Sequence, residues 1–288
     1  MISVVIAAHN EEAVVGRCID ALLEQGIDPP HIFVSANGCS DATAQVAHRR
    51  GATVISRAEP GKPAALNAAD AVADTFPRVY LDADIVVPEG AIDAVERVFA
   101  GADSPLAAAP HRRIDTSGCA PAVRAYYAIN ERLPVFRDGL FGRGMFAVSA
   151  AGRSRFAEFP ALTADDLFAD AQFDGREKRS LDEVEISVAA PRTTRSLIRR
   201  LVRVRRGNAE MRAAAARGDV EAVVRSSDRW AWARVVRDDP RLMFAALPYV
   251  LITLTASLLA RRAPAPAAAW GRDDSTRTTP PIARWGST

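Results

Sequence analysis

Cysteine is scarce in this chain of 288 residues: Cys18, Cys39 and Cys119 are the whole complement, and no two lie close together. A disulfide framework or a cysteine-built zinc site needs closely spaced cysteines, so neither is expected, and a reducing compartment fits this usage. No basic segment leading into an apolar core opens the chain. Ile2–Ala8 reads as a strand and not as a secretory leader. G-x-G-x-x-G and G-x-x-x-x-G-K-[ST] patterns are also missing, which removes support for a Rossmann dinucleotide site or a P-loop. Net charge is small too, +2, but it conceals an asymmetry. Residues 1–110 carry 7 basic and 15 acidic side chains, and residues 192–288 carry 19 and 8. A basic C-terminal third implies an anionic partner for that third: phosphates, a membrane surface or nucleic acid.

What is present is an alternation. Strands are predicted at Ile2–Ala8, Ile32–Ser35, Thr53–Ser56 and Val79–Leu81, and helices at about 11–25, 42–50 and 63–73. The first helix would bury Val14, Val15, Cys18, Ile19, Leu22 and Leu23. Strands alternating with helices predict an α/β fold with a mostly parallel, doubly wound sheet. The strand at Val79 stops being apolar at Asp82 and Asp84, at the edge where such sheets carry ligand crevices. In extended backbone those two carboxylates share a side, with Ala83 facing away. Hard oxygen donors of this kind suit Mg²⁺ or Mn²⁺. A solvated Asp-x-Asp turn accounts for the nine residues 79–87 equally well. The loops at His9–Glu12 and Asn37–Asp41 should meet at the same edge, with Ser40 or Asp41 capping the next helix.

Four segments in order are similar to the successive motifs of the family 2 glycosyltransferases: Val4–Glu12, Ala36–Thr43, Gly61–Ala68 and Leu81–Asp84. The resemblance covers about residues 1–207 and implies a GT-A fold that binds a nucleotide-sugar through an Asp-x-Asp pair and a divalent metal. By position it implies that Asp82 and Asp84 hold the metal, Asp82 also facing the donor. His9, Asn10 and Glu11 match the nucleotide-binding stretch, with Ala7 where the family has proline. Asn37 stands at an aspartate that helps hold the base, and Asp41 lies in the same loop. Lys62 and Asn67 match a Lys-Gly-Gly-Ala-Leu-Asn segment whose glycines are Pro63 and Ala64 here.

On the acceptor side, Gly139–Ser149 resembles the family's glycine-rich turn into a strand, placing Gly142 and Gly144 there. Thr163–Phe168 resembles the Glu-Asp motif, with Asp166 at the catalytic base and Asp165 at the glutamate. Thr163 is equally an N-cap candidate, with both acids in the first helical turn. Arg192–Arg206 contains seven arginines, and Leu197, Ile198, Leu201 and Val202 recur at helical spacing. Arg206 stands at the arginine of a Gln-x-x-Arg-Trp motif, implying a diphosphate contact, but Arg203 and Gly207 replace its glutamine and tryptophan.

The predicted organisation is a catalytic domain at 1–210, a helical extension at 211–262 and a disordered tail at 263–288. Leu242–Ala260 is uncharged, contains Pro248, and at 19 residues is long enough to cross a bilayer. Crossing, re-entrant and domain-packed placements are all open. The expected function is an inverting glycosyltransferase of cell-envelope glycan or glycolipid synthesis. Its partners would be a nucleotide-sugar, a glycan, lipid-linked or small-molecule acceptor, and a membrane surface, but no nucleic acid. The cytoplasmic face of the plasma membrane is the expected location, with the cytoplasm as alternative. The composition, rich in arginine and alanine, goes with GC-rich bacteria. A nucleotidyltransferase on the same α/β half, or a degenerate membrane-bound binding module, are the rival readings.

Overall fold

The computed structural model of the protein describes residues 1–136, 139–220, 228 and 230–262; the tail expected at 263–288 lies outside them. The first half runs β1 (Ser3–Ala8), α1 (Val15–Leu23), β2 (Ile32–Asn37), α2 (Thr43–His48), β3 (Thr53–Arg57), α3 (Lys62–Asp70), β4 (Arg78–Asp82) and α4 (Ala91–Ala100). The middle follows as β5 (Ala107–Asp115), α5 (Pro121–Asn130), β6 (Met145–Val148), α6 (Ala150–Arg153), α7 (Asp165–Ala171) and β7 (Lys178–Ala189). Three helices close the described chain: α8 (Thr194–Arg217), α9 (Ala231–Asp238) and α10 (Met243–Arg262).

The seven strands form one sheet in the order β3-β2-β1-β4-β6-β5-β7. β1, β2, β3 and β4 are parallel, β6 is antiparallel to both neighbours, and β5 and β7 are parallel. β1 is buried on both faces, as a central parallel strand requires. Its residues divide by parity: Val4, Ile6 and Ala8 join α1 and α4 in one core layer. Val5 and Ala7 join Ala65 and Leu66 of α3, with Tyr80, Phe146, Phe159 and Phe168, in the other.

A third apolar cluster packs α10 along α5 and α8 through Tyr126, Tyr127, Leu197, Tyr249 and Ile252. The tyrosine rings of 126 and 249 stack at 5.1 Å. Helix α8 joins this cluster to the sheet, because Leu197 belongs to it and Met211 to the α3 layer. The boundary expected at residue 210 therefore falls inside one continuous helix. Thr193 caps that helix by accepting from the Ser196 N–H, and Gly218, at φ 76°, ends it.

Candidate active site

Parallel register aligns three strand ends at one sheet edge, pairing Ala7 with Asp82 and Ala8 with Ala36. The loop after β1 and the loop after β2 are clasped by their own polar atoms. Asn10, at φ 54°, accepts through its side-chain oxygen from the Ser40 N–H at 2.8 Å. Glu12 accepts from the Ala42 N–H at 2.8 Å, and Asp41 accepts from the Glu12 N–H at 3.2 Å. Asp41, not Ser40, steadies the start of α2, accepting from the Thr43 N–H at 3.0 Å. The Glu11 N–H donates to Thr43 Oγ1 at 2.7 Å. Asn37 is fully buried: its amide donates to the Ala8 carbonyl and accepts from the Gly61 N–H, both at 2.8 Å. His9 Nδ1 lies 2.7 Å from the Asn37 carbonyl. These residues hold one another and form a rigid floor at the sheet edge.

β4 delivers the aspartates. Asp82 ends the strand and Asp84 lies in the turn that follows, not in extended backbone. Alternation survives in the burial nonetheless: Ala83, Ile85 and Val87 are buried, whereas Asp84 is exposed and Asp82 partly so. Beneath them, burial pushes the Cys18 thiol well up from its ordinary value, aided by the charges of Asp84 and Asp82. Antiparallel β6 brings the glycine loop to the same edge, so that the Asp82 N–H donates to the Gly144 carbonyl at 2.8 Å. Gly144 has φ +73°, and a Cβ there would stand 2.6 Å from Ile85 Cγ1. Only glycine fits that approach.

Lys62, at the start of α3, reaches into the middle. Its ammonium donates to Asp82 Oδ1 at 2.8 Å and pairs with Asp165 Oδ2 at 2.9 Å. Burial works against its charge, but Asp165, Asp82 and Asp166 outweigh this and hold its pKa well above the ordinary value. Asp165 is itself buried, which raises its carboxyl to about 6; Lys62 opposes the shift, and Asp166 and Asp82 reinforce it. Asp166 is half-buried and accepts from two backbone N–H groups, Gly142 at 2.7 Å and Leu167 at 2.8 Å. Thr163 does not cap α7, because its hydroxyl turns to Glu210 at 3.4 Å. Lys62, Asp82, Gly142, Gly144, Asp165 and Asp166 thus line one small cavity at the sheet edge.

Asn67 and Arg206 are placed elsewhere. The Asn67 amide clasps the Phe159 backbone at 2.9 and 2.8 Å, tying α3 to the segment before α7. The Arg206 guanidinium lies on the carbonyls of Leu259 and Ala260 at the end of α10, 3.3 and 3.4 Å away. Sequence reasoning missed Asp170, which accepts from the Leu140 N–H at 2.9 Å and pairs with buried Lys178 at 2.7 Å. Asp166 and Asp170, one helical turn apart, together fasten the glycine loop to α7; the i, i+4 spacing was the available signal. Arg112 and Arg143 were missed as well. Arg112 stacks on Phe136 at 3.6 Å and donates to the Gly142 carbonyl, while buried Arg143 donates to the Gly139, Pro110 and Phe136 carbonyls.

Asp82 and Asp84 are the carboxylates that could hold a metal ion. Among the described residues no group of three or more His, Cys, Asp or Glu side chains forms a protein-only cage. Mg²⁺ and Mn²⁺ do not need one, since one or two carboxylates with water and substrate phosphates suffice. The Lys62 ammonium against Asp82 already marks the position as favourable to a cation.

A model of glycosyl transferase family 2 matches residues 3–151, just over half the chain. The protein belongs to that family. This glycosyltransferase shares its architecture with the mannosyltransferase PcManGT from Pyrobaculum calidifontis, solved with GDP-Man and Mn²⁺. The two are 19% identical with a TM-score of 0.58, over 93% of this chain and 77% of the other. Glucosyl-3-phosphoglycerate synthase from Mycobacterium tuberculosis, solved with Mg²⁺ and UDP, is 23% identical over 65% of this chain and 70% of its own, with a TM-score of 0.46. No curated protein matches the sequence. The fold of the glycosyltransferase is therefore the GT-A type expected from its motifs.

Proposed function

We propose that the protein moves a sugar from a nucleotide-sugar donor to an acceptor hydroxyl with inversion at the anomeric carbon. The observation that carries this reading is the Lys62 ammonium standing between Asp82 and Asp165. It joins the carboxylates at the end of β4 to the acid pair of α7 across one cavity, as a donor site and an acceptor-side base require. PcManGT, with GDP-Man and Mn²⁺ bound, supports the donor class and the metal class.

In this reading Asp82 and Asp84 hold Mg²⁺ or Mn²⁺. When bound, such an ion neutralises charge on the donor's diphosphate as its bond to the sugar breaks. Lys62 adds a fixed positive charge beside that position. His9, Asn10, Glu11 and Asp41 form the floor on which the nucleotide rests. Asn37, Asn67 and Arg206 contribute by fixing the elements around it. Asp166 is oriented by its two backbone donors and takes the proton from the acceptor hydroxyl. Attack from the face opposite the leaving diphosphate then inverts the anomeric carbon in one displacement. Asp165 keeps Lys62 in place, and Gly142 and Gly144 let the loop lie close to the acids. We assign the enzyme to the cytoplasmic face of a membrane, in cell-envelope glycan or glycolipid synthesis, with a glycan, lipid-linked or small-molecule acceptor.

The test is product release from a panel of nucleotide-sugars with Mg²⁺ or Mn²⁺ present. Nucleoside diphosphate is the expected product. Pyrophosphate would instead mark a nucleotidyltransferase, and no release from any donor would mark a binding module.

A further inference from the structure

Helix α10 presents two faces. Tyr249, Ile252 and Ala256 are buried against α5 and α8, so the helix lies along the domain for its whole length. The opposite face exposes Phe244, Leu247, Leu251, Leu254 and Leu258 at spacings of three and four. Phe244 is 86% exposed and Leu247 66%. A continuous apolar stripe of this kind, left open to water, marks an interaction surface. Exposed Arg241 stands at one end and exposed Arg261 and Arg262 at the other, while the adjoining α8 exposes Arg195 and Arg199. Asp228 and Asp238 pair with Arg234 and Arg237, and Asp239 accepts from the Arg241 N–H at 3.2 Å, so the net basic charge lies at the Arg261–Arg262 end and along α8.

We propose that α10 docks in the plane of an anionic membrane, its leucine stripe sunk into the headgroup–acyl boundary and the arginines on headgroup phosphates. This deepens the membrane part of the proposed function and rests on it. A crossing helix would have to leave α5 and α8, exposing Tyr249 and Ile252 and unstacking Tyr126. Parallel pairing with a second copy of this chain is disfavoured by charge, because it sets Arg261 and Arg262 against their own copies. An apolar strip ending at Arg261 and Arg262, with Arg195 and Arg199 of α8 beside it, complements anionic lipid. The docked helix also ends near the chemistry. Arg206 holds the end of α10, and a Cβ on the next residue, Gly207, would lie 3.2 Å from Thr163 Cβ, two residues before Asp165.

The experiment attaches a polarity-sensitive fluorophore to Phe244→Cys, Leu251→Cys or Leu258→Cys in the full chain carrying Cys39→Ser, Cys18 and Cys119 being buried. Quenching by lipids brominated at different depths is then read on vesicles of phosphatidylcholine and phosphatidylglycerol. Equal, shallow depth at all three positions is expected. Leu251 deep, with 244 and 258 near opposite surfaces, would overturn in-plane docking and leave the membrane reading standing. No quenching at any position, or dimers without vesicles that Leu254→Ser dissociates, would overturn both. Leu247→Ser with Leu254→Ser should cut vesicle affinity about 100-fold or more, since each removes one lipid-buried leucine. Its melting temperature should hold, both positions being exposed. Nucleoside diphosphate release without vesicles, measured on the same samples, tests the transferase reading separately.

Discussion

Removing the charge of Asp165 isolates a carboxyl whose ionisation burial disfavours. Its carboxyl is buried, and burial outweighs the attraction of Lys62, lifting the pKa from 3.8 to about 6. A folded-state pKa above the unfolded one means that the native protein binds the proton more tightly. Stability from this group is therefore present at low pH and lost as pH rises through about 6. With those two values, wild type should gain on the order of 1 kcal/mol at pH 5 relative to pH 7.5, and more at lower pH. Other carboxylates titrate over the same range, so the absolute curve hides the effect. Asp165→Asn removes this titration and leaves carboxylates away from the site unchanged. The stability of wild type minus that of Asp165→Asn should thus move in favour of wild type by on the order of 1 kcal/mol between pH 7.5 and pH 5. Urea unfolding at half-unit pH steps, without donor or metal, measures the difference. A flat difference, or one that favours wild type at high pH, would refute the claim that burial beats the ion pair with Lys62.

Asp166→Asn should lower kcat by about 10²–10⁴-fold with donor affinity nearly unchanged. Both Asp166 oxygens accept backbone hydrogen bonds, and an amide can keep one of them. About 1 kcal/mol of stability should therefore go as well, seen by urea unfolding. If Asp165→Asn loses more turnover than Asp166→Asn, the base has been assigned to the wrong acid. Asp84→Ala should abolish turnover at unchanged melting temperature, because the side chain is exposed, and full activity in excess chelator would refute the metal. Gly144→Ala should cost about 2–4 kcal/mol by denaturation, since it combines a left-handed backbone with overpacking against Ile85. Its donor affinity should fall with Asp82 displaced, and unchanged binding would show that the loop is free to shift.

The βαβ half and the four motif segments were legible in the sequence because strands with period two, turn residues and the Asp-x-Asp spacing are local signals. The basic amphipathic helix and the apolar helix after it were legible for the same reason. Local pattern alone also brings Asp165 and Asp166 into one helical turn. What it could not supply is the partner of each side chain. Asn37 and Asn67 read as donor contacts, yet both amides bind backbone, because the loops they face are set by strand order and not by neighbouring residues. Arg206 went to the end of α10 through a contact spanning more than fifty residues, which no motif encodes. Antiparallel β6 was equally out of reach as a sheet neighbour of β4, and it alone brings the glycine loop against Asp82. The membrane question shows the division most directly. Composition marks 242–260 as apolar, and only packing on α5 and α8 decides which leucines face away from the domain. Burial is a property of tertiary neighbours, so the residue types were fixed in advance and their partners were not.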